Sequence, residues 1–311
     1  MRGCCVACMY ASLLLATRVW SVGGGGWGRR VRLVFAGETL SRRANLSMQE
    51  IDGEALARRF ASCNAARAAE RARFASQWLP LQSTSGRHHD NVFVSHALKA
   101  AYIANQKAGS RSILRMMERF GPRPVTTVPY HHWASASSAS SYSKYLTFTF
   151  VRDPLRTFLS GASEVASRHY HGLRTLCRTH GRYWTVPCGA DVLGPLLDDV
   201  LSRRCIGQAA YHIWPQTVKL DVRLSRPIDF IGRLEHLEHD FGDLLRRLNR
   251  STNISTLLTT STAHEHGTDR CGRAVVINTS ILAKGTSLRA TLCGLLASDY
   301  ACGFGMSECD A

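Results

Sequence analysis

Residues 145–165, YLTFTFVRDPLRTFLSGASEV, constrain the fold of this chain more than any other stretch. Large apolar residues alternate with threonines up to Val151, a pattern typical of a half-buried β-strand. Pro154 cannot continue the strand, and beyond it apolar residues recur at helical spacing. This order predicts that Arg152 lies at the carboxyl end of a strand, where open α/β sheets bind their ligands.

The same stretch contains a candidate phosphate site. Ser160 falls two turns into the predicted helix, which lets it face the same pocket as Arg152. An arginine fork and a hydroxyl that converge on one point suit a phosphate. The alternative is an arginine that pairs with Asp153 at the end of a strand.

A second strand, loop and helix pattern lies upstream. Residues 100–104 predict a short buried strand, residues 105–112 a tight loop, and residues 113–120 a helix. The N-terminus of a helix offers N–H groups and a positive dipole end to an anion. Gly109 permits a close approach of the backbone and Lys107 adds a charge, so we expect an anion site here. The string is not the triphosphate P-loop, which requires G-x-x-x-x-G-K-[ST].

Five segments of the chain resemble the motifs of Golgi carbohydrate sulfotransferases, in that family's order. They are residues 107–112, 150–160, 212–216, 229–241 and 298–305. The first is similar to the family's 5′-phosphosulfate loop. The second is similar to its 3′-phosphate motif, with the arginine-to-serine spacing intact. Each segment alone is a weak signal, whereas five in order make a specific resemblance.

The resemblance implies a donor and the residues that hold it. The family's donor is 3′-phosphoadenosine-5′-phosphosulfate, which lacks the β/γ-phosphate pair that magnesium bridges, so no metal is expected. The expected donor contacts come from Lys107, Ala108, Gly109, Ser110, Arg111, Ser112, Arg152 and Ser160. Arg111 departs from the family's pattern, because relatives usually carry threonine there, and this puts one hydroxyl contact to the 5′-phosphate in question.

The resemblance also implies catalytic groups. Lys107 is expected to stabilise the bridging oxygen as it becomes a leaving group. His131 and His132 lie between the two donor motifs, where uronyl 2-O-sulfotransferases carry a similar histidine pair. His132 is the first candidate for the general base and His131 the second, because histidine titrates near neutral pH. The alternative is a histidine pair without a role, with Glu164 or His212 as the base.

These observations predict an α/β fold, with a P-loop-like parallel sheet sandwiched by helices and an N-terminal helical stem. Residues 1–28 contain an apolar run flanked by arginines, and we expect a signal peptide or a short signal anchor. Residues 29–93 are expected to form a stem and linker with an amphipathic helix, and residues 94–311 the sulfotransferase domain.

Sequons and cysteines favour the secretory pathway, and the family resemblance narrows this to the Golgi lumen. Four N-glycosylation sequons begin at Asn45, Asn249, Asn253 and Asn278. Eight cysteines follow the N-terminal run, an even number that allows disulfides in an oxidising compartment. The neighbouring pairs that we expect are Cys177 with Cys188 and Cys293 with Cys302.

The formal net charge of +16 favours an anionic partner. Zinc-finger spacing, RNP-like aromatic strings and basic coiled-coil patterns do not occur in the sequence, so nucleic acid is not the expected partner. We expect an anionic or neutral glycan acceptor. The alternative explanation of the charge is an arginine-rich composition without a functional cause.

Two other functions are alternatives to a carbohydrate sulfotransferase. A kinase of P-loop type needs a triphosphate loop and a carboxylate for magnesium. A non-catalytic glycan-binding protein on the same scaffold would bind heparin-like polymers without consuming the sulfate donor.

Overall fold

The computed structural model describes residues 52–63, 91–120, 124–129, 141–167, 212–221, 227–250 and 285–305, with residues 68, 133, 193, 196, 197, 282 and 283 in addition. The described strands are β1 (Asn91–Ser95), β2 (Ala100–Ile103), β3 (Thr126–Pro129), β4 (Leu146–Val151) and β5 (Phe230–Arg233). The described helices are α1 (Gly53–Ser62), α2 (Ser110–Glu118), α3 (Pro154–Ser167), α4 (Gln216–Asp221), α5 (Leu237–Arg247) and α6 (Ser287–Ala301). A 3₁₀ turn, Leu234–His236, precedes α5.

The strands form one five-stranded sheet in the order β3-β1-β2-β4-β5. β2, β4 and β5 are parallel neighbours, whereas β1 runs antiparallel to both β2 and β3. The prediction of an α/β fold is confirmed, but the sheet is mixed rather than fully parallel. The reason is the connection between β1 and β2, residues 96–99. A connection this short joins antiparallel strands, because a parallel crossover needs a dozen residues or more.

Alternating side chains on the strands bury both faces of the sheet. Tyr102, Phe148 and Phe150 pack on one face against apolar residues of α2 and α5. Ile103 and Val151, one position on, pack on the other face with α1. Helices therefore cover both faces of the sheet, as in other α/β folds.

A third apolar cluster lies beyond the edge where β2 and β4 end, and it joins α3, α4 and α6. Its buried members include Phe158 and Ala162 of α3, Val218 of α4 and Leu295 of α6. Gly161 brings α3 against the segment before α4, because an added Cβ would overlap the carbonyl oxygen of His212. This cluster fixes α3 and α4 beside the carboxyl ends of the parallel strands.

α1 lies within the residues that were predicted as a stem, but it packs onto β5. Leu56 and Phe60 of α1 are buried in the core of the sheet. β1 begins at Asn91, so the expected domain boundary at residue 94 falls inside a strand. The amphipathic helix thus belongs to the same folded core as the sheet.

A disulfide joins Cys63, directly after α1, to Cys302, directly after α6, with the two Cα atoms 5.5 Å apart. The predicted pair of Cys293 with Cys302 is therefore wrong. Both residues belong to one helix and its cap, and nine helical residues span about 13 Å, which is too far for a disulfide. Cys293 is disulfide-bonded as well. The predicted pair of Cys177 with Cys188 lies outside the described residues.

Residues 1–28, the predicted signal peptide or anchor, also lie outside the described residues. Within the described part of the chain, no helix combines the length and the apolar composition that a membrane crossing requires.

Candidate anion-binding site

The loop between β2 and α2, residues 104–109, leaves the carboxyl end of β2 and turns tightly into α2. Lys107 and Gly109 both have left-handed backbone conformations, with φ of 69° and 76°. This conformation costs a residue with a side chain about 1 kcal/mol or more. Gly109 also lies against Leu234, since an added Cβ would be 2.5 Å from Leu234 Cδ1. A strained lysine and a required glycine thus stand at the predicted anion loop.

α2 begins at Ser110 rather than at residue 113, so Ser110 and Ser112 belong to its first turn. The Ser110 hydroxyl donates to the Asn105 carbonyl over 2.6 Å and accepts from the Tyr102 hydroxyl over 3.2 Å. This hydroxyl therefore braces the loop. The first N–H groups of a helix have no acceptor within the helix itself. The backbone of the first turn is thus the group that this end of α2 presents to an anion.

Arg111 and Ala108 occupy opposite environments in this segment. The Arg111 side chain is exposed on α2, whereas Ala108 is fully buried beneath the loop. A donor contact from Ala108 can come only through its backbone, because its methyl side chain has no polar group.

Arg152 follows β4 directly, and β4 is the parallel neighbour of β2. Both loops therefore open at the same edge of the sheet, as predicted for a ligand site. The Arg152 side chain is 26% exposed, and its Nε lies 4.0 Å from Glu235 Oε1. Burial lowers the pKa of the Arg152 guanidinium, and the Glu235 carboxylate opposes this more strongly than Asp153 does.

Asp153, the alternative partner of Arg152, caps α3. Its Oδ1 accepts from the Arg156 amide over 2.9 Å, and its carbonyl accepts from the Thr157 amide. The Asp153 amide in turn donates to Glu235 Oε1 over 3.0 Å. Glu235 thus contacts both the backbone and the guanidinium at the end of β4, and this residue had no predicted role.

Ser160 and Glu164 lie one turn apart on α3 and so share a helix face. Glu164 Oε2 accepts a hydrogen bond from Lys107 Nζ over 3.0 Å, and the two side chains are only 16% and 14% exposed. Because Glu164 reaches the β2–α2 loop, the face that carries Ser160 is turned toward the same edge of the sheet. The ion pair with Lys107 was not anticipated from the sequence.

Gln216, the first residue of α4, joins the two loops. Its Oε1 accepts from Asn105 Nδ2 over 2.8 Å and from the Arg152 amide over 2.9 Å. Its Nε2 donates to the Arg152 carbonyl over 2.6 Å. Asn105 Nδ2 also donates to the Phe150 carbonyl over 3.1 Å, and both amide side chains are fully buried. One glutamine therefore fixes the start of the loop at residues 104–109, the Lys107 loop, relative to Arg152.

Of the predicted site residues, the structure brings the Lys107 loop, Arg152 and the Ser160 face of α3 to one edge of the sheet. His131 and His132 lie outside the described residues, so their assignment as the general base stays a prediction. Gln216 and Glu235 were missed as contacts, although both stand in segments that resemble family motifs. Their roles depend on partners more than sixty residues away, which no local pattern reveals.

Comparisons of the chain with family models, with curated proteins and with solved structures found no match.

Proposed function

We propose that this chain is a sulfotransferase that transfers a sulfuryl group from 3′-phosphoadenosine-5′-phosphosulfate to a hydroxyl of a carbohydrate. One observation carries the proposal: the Lys107 loop and Arg152 follow neighbouring parallel strands, and the Gln216 side chain joins them. Two cationic positions at one sheet edge suit a donor that has anionic groups on both its 5′ and 3′ positions. All three residues fall within the segments that resemble family motifs.

In this proposal, the first turn of α2 and the loop before it hold the 5′-phosphosulfate. The supporting features are the helix N-terminus, the left-handed backbone at Lys107 and Gly109, and the half-buried Ser112. Arg152, with Ser160 on the adjacent helix, holds the 3′-phosphate. The sheet and its helices are proposed to be of the P-loop-like type, with this edge as the nucleotide site.

The acceptor hydroxyl attacks sulfur in line with the bridging oxygen. The new sulfur–oxygen bond forms while the bond to the bridging oxygen breaks, and 3′-phosphoadenosine-5′-phosphate leaves. Lys107 stabilises the charge that develops on the leaving oxygen. His132, or else His131, accepts the proton of the hydroxyl. The donor offers no β/γ-phosphate pair, so the proposal needs no metal.

Glu164 gives Lys107 a partner in the protein without ligand. The pair is mostly buried, where charges that lose their partner are costly. The phosphosulfate competes with Glu164 for the Lys107 ammonium when the donor enters. Glu164 is thereby placed next to the reacting group, which supports its place as the alternative general base.

The proposed location is the lumen of the Golgi. The Cys63–Cys302 disulfide supports an oxidising compartment, because disulfides are rare in the cytosol. The sequons and the N-terminal apolar run support the same route. The proposed acceptor is an anionic or neutral glycan.

The test is incubation of the full chain with radiolabelled sulfate donor and a panel of glycans, followed by measurement of label in the glycan. We expect transfer without added metal. A magnesium requirement for nucleotide binding would favour the kinase. Binding of heparin-like polymers without consumption of donor would favour the glycan-binding protein.

Lys99 provides a matched control for the lysine that carries the chemistry. Like Lys107 it has a left-handed backbone, with φ of 52°, but it is exposed and precedes β2 at the opposite end of the strand. Lys99→Ala carries a similar backbone cost and should keep the transfer activity, whereas Lys107→Ala should lose it. Equal losses in both variants would show that stability, not chemistry, explains the effect.

A further inference from the structure

The Asp299 carboxylate, near the end of α6, organises the N-terminus of α4. Its Oδ2 accepts from the Gln216 amide over 2.9 Å, and its Oδ1 accepts from the Thr217 amide over 2.7 Å and from Thr217 Oγ1 over 2.8 Å. The carboxylate is fully buried. Three donors on one buried carboxylate make a strong, oriented contact. α6 therefore sets the position of the residue that begins α4.

That residue is Gln216, whose side chain contacts both loops of the candidate site. A continuous series of hydrogen bonds thus runs from Asp299 through the Gln216 backbone and side chain to Asn105 and to Arg152. Asp299, Gln216 and Asn105 are each 0% exposed, so water does not compete for the bonds among them, whereas the two bonds to the Arg152 backbone are partly buried.

The surroundings of Asp299 are polar and charged. Ser298 of α6 shares a 2.6 Å hydrogen bond with Thr217 Oγ1 of α4. The Lys219 side chain, also on α4, is buried. Burial raises the pKa of Asp299, while the bonds from Thr217 and Gln216 and the charge of Lys219 act against this rise. The carboxylate is thus held by its donors from α4, and Lys219 of the same helix influences its pKa.

We infer that Asp299 is a positioning residue, which acts through Gln216 to hold the two halves of the donor site at their working separation. The inference rests on the proposed function for the identity of the ligand. Asp299 does not touch the donor in this arrangement. It sets where Gln216 lies, and Gln216 sets the distance between the Lys107 loop and the backbone of Arg152.

The experiment compares Asp299→Asn, Gln216→Met and the double variant with a matched control, Thr217→Val. The control removes a hydroxyl from the same carboxylate but leaves the bond between Asp299 and the Gln216 amide. One readout is hydrogen exchange of the backbone amides at residues 105–109 and 152–153 without ligand. The second readout is calorimetric titration with 3′-phosphoadenosine-5′-phosphate.

We expect Asp299→Asn and Gln216→Met to speed exchange in both loops, and to weaken binding of the nucleotide by roughly tenfold or more. Thr217→Val should lower the thermal midpoint but leave both readouts near those of the unmodified protein. In the double variant, adding Asp299→Asn to Gln216→Met should weaken nucleotide binding by less than about a further twofold, because both changes act through one set of bonds.

Unchanged loop exchange in Asp299→Asn would overturn the inference, whether or not the nucleotide binds. Additive effects in the double variant would overturn it as well, because Asp299 would then act without Gln216. An unmodified protein that fails to bind the nucleotide, with loop exchange that still responds to Asp299→Asn, would refute the proposed function and support the coupling. The two failures are therefore distinguishable.

Discussion

Lys219→Met is expected to change how the stability of this protein depends on pH. Lys219 lies on α4 with its side chain 0% exposed. Burial lowers its pKa from 10.5 to about 7, with Asp299 opposing the shift and Lys107 adding to it. Methionine has a similar length and fills the same space without a charge to desolvate.

The sign follows from the number of bound protons in each state. Between pH 7 and pH 10.5 the unfolded chain keeps the Lys219 proton and the folded chain loses it, so the free energy of unfolding rises with pH. The slope reaches about 1.4 kcal/mol per pH unit, and the full window is worth on the order of 3–5 kcal/mol. The variant lacks this slope. Without the Lys219 charge the pKa of Asp299 rises further, so the free energy of unfolding of the variant rises even less with pH. The stability advantage of the variant over the unmodified protein therefore still shrinks as the pH rises.

The assay is urea unfolding followed by circular dichroism at pH values of about 7, 8 and 9, with linear extrapolation to water. Lys144→Met serves as the control, because Lys144 is exposed. We expect Lys219→Met to be at least as stable as the unmodified protein at pH 7, with an advantage that shrinks by about 2 kcal/mol toward pH 9. Parallel pH profiles for the unmodified protein and Lys219→Met would refute the reasoning.

Four further variants test the site, and one tests the disulfide. Arg152→Ala should weaken binding of 3′-phosphoadenosine-5′-phosphate by about 2–4 kcal/mol, and unchanged affinity by calorimetry would remove Arg152 from the site. Lys107→Ala should lower kcat by roughly a hundredfold with a smaller effect on donor affinity; a loss of affinity alone would make Lys107 a binding residue. Alanine at His131 and at His132 should act unequally, with one variant nearly inactive and still able to bind donor; equal, mild effects would move the base elsewhere. Cys63→Ser should lower the free energy of unfolding by about 3–5 kcal/mol, and a thermal midpoint equal to that of the unmodified protein would contradict this.

The parts of the fold that are visible in the sequence are those with a strong local pattern. β4 was predicted because its apolar residues alternate and Pro154 ends it, and β2 because it is a short apolar run before a small-residue loop. Their placement as parallel neighbours follows the general behaviour of α/β sheets. The Lys107 loop and Arg152 were assigned to one donor by the family resemblance, and the pairing of β2 with β4 was not itself predicted.

The parts that escaped prediction depend on contacts between distant residues. β1 was overlooked because Asn91–Ser95 is short and follows a polar linker-like stretch. Gln216 is one polar residue beside a proline until the fold places it between two loops. Glu164 lies on a helix face whose partner, Lys107, is 57 positions away. Such pairings follow from tertiary packing, which local propensity does not encode.

The Cys63–Cys302 bond also has a consequence for how the chain is made. The two cysteines are 239 positions apart, and synthesis at 5–20 residues per second separates them by roughly 10–50 s. During most of that interval α1 lacks β5, and until its end α1 lacks Cys302 and Phe304, whose ring stacks on that of Phe60. Every other cysteine of the chain except Cys309 is made before Cys302, so the Cys63 thiol is exposed to other cysteines before its own partner exists. Maturation of this protein therefore includes a late step that joins the first described helix to the last.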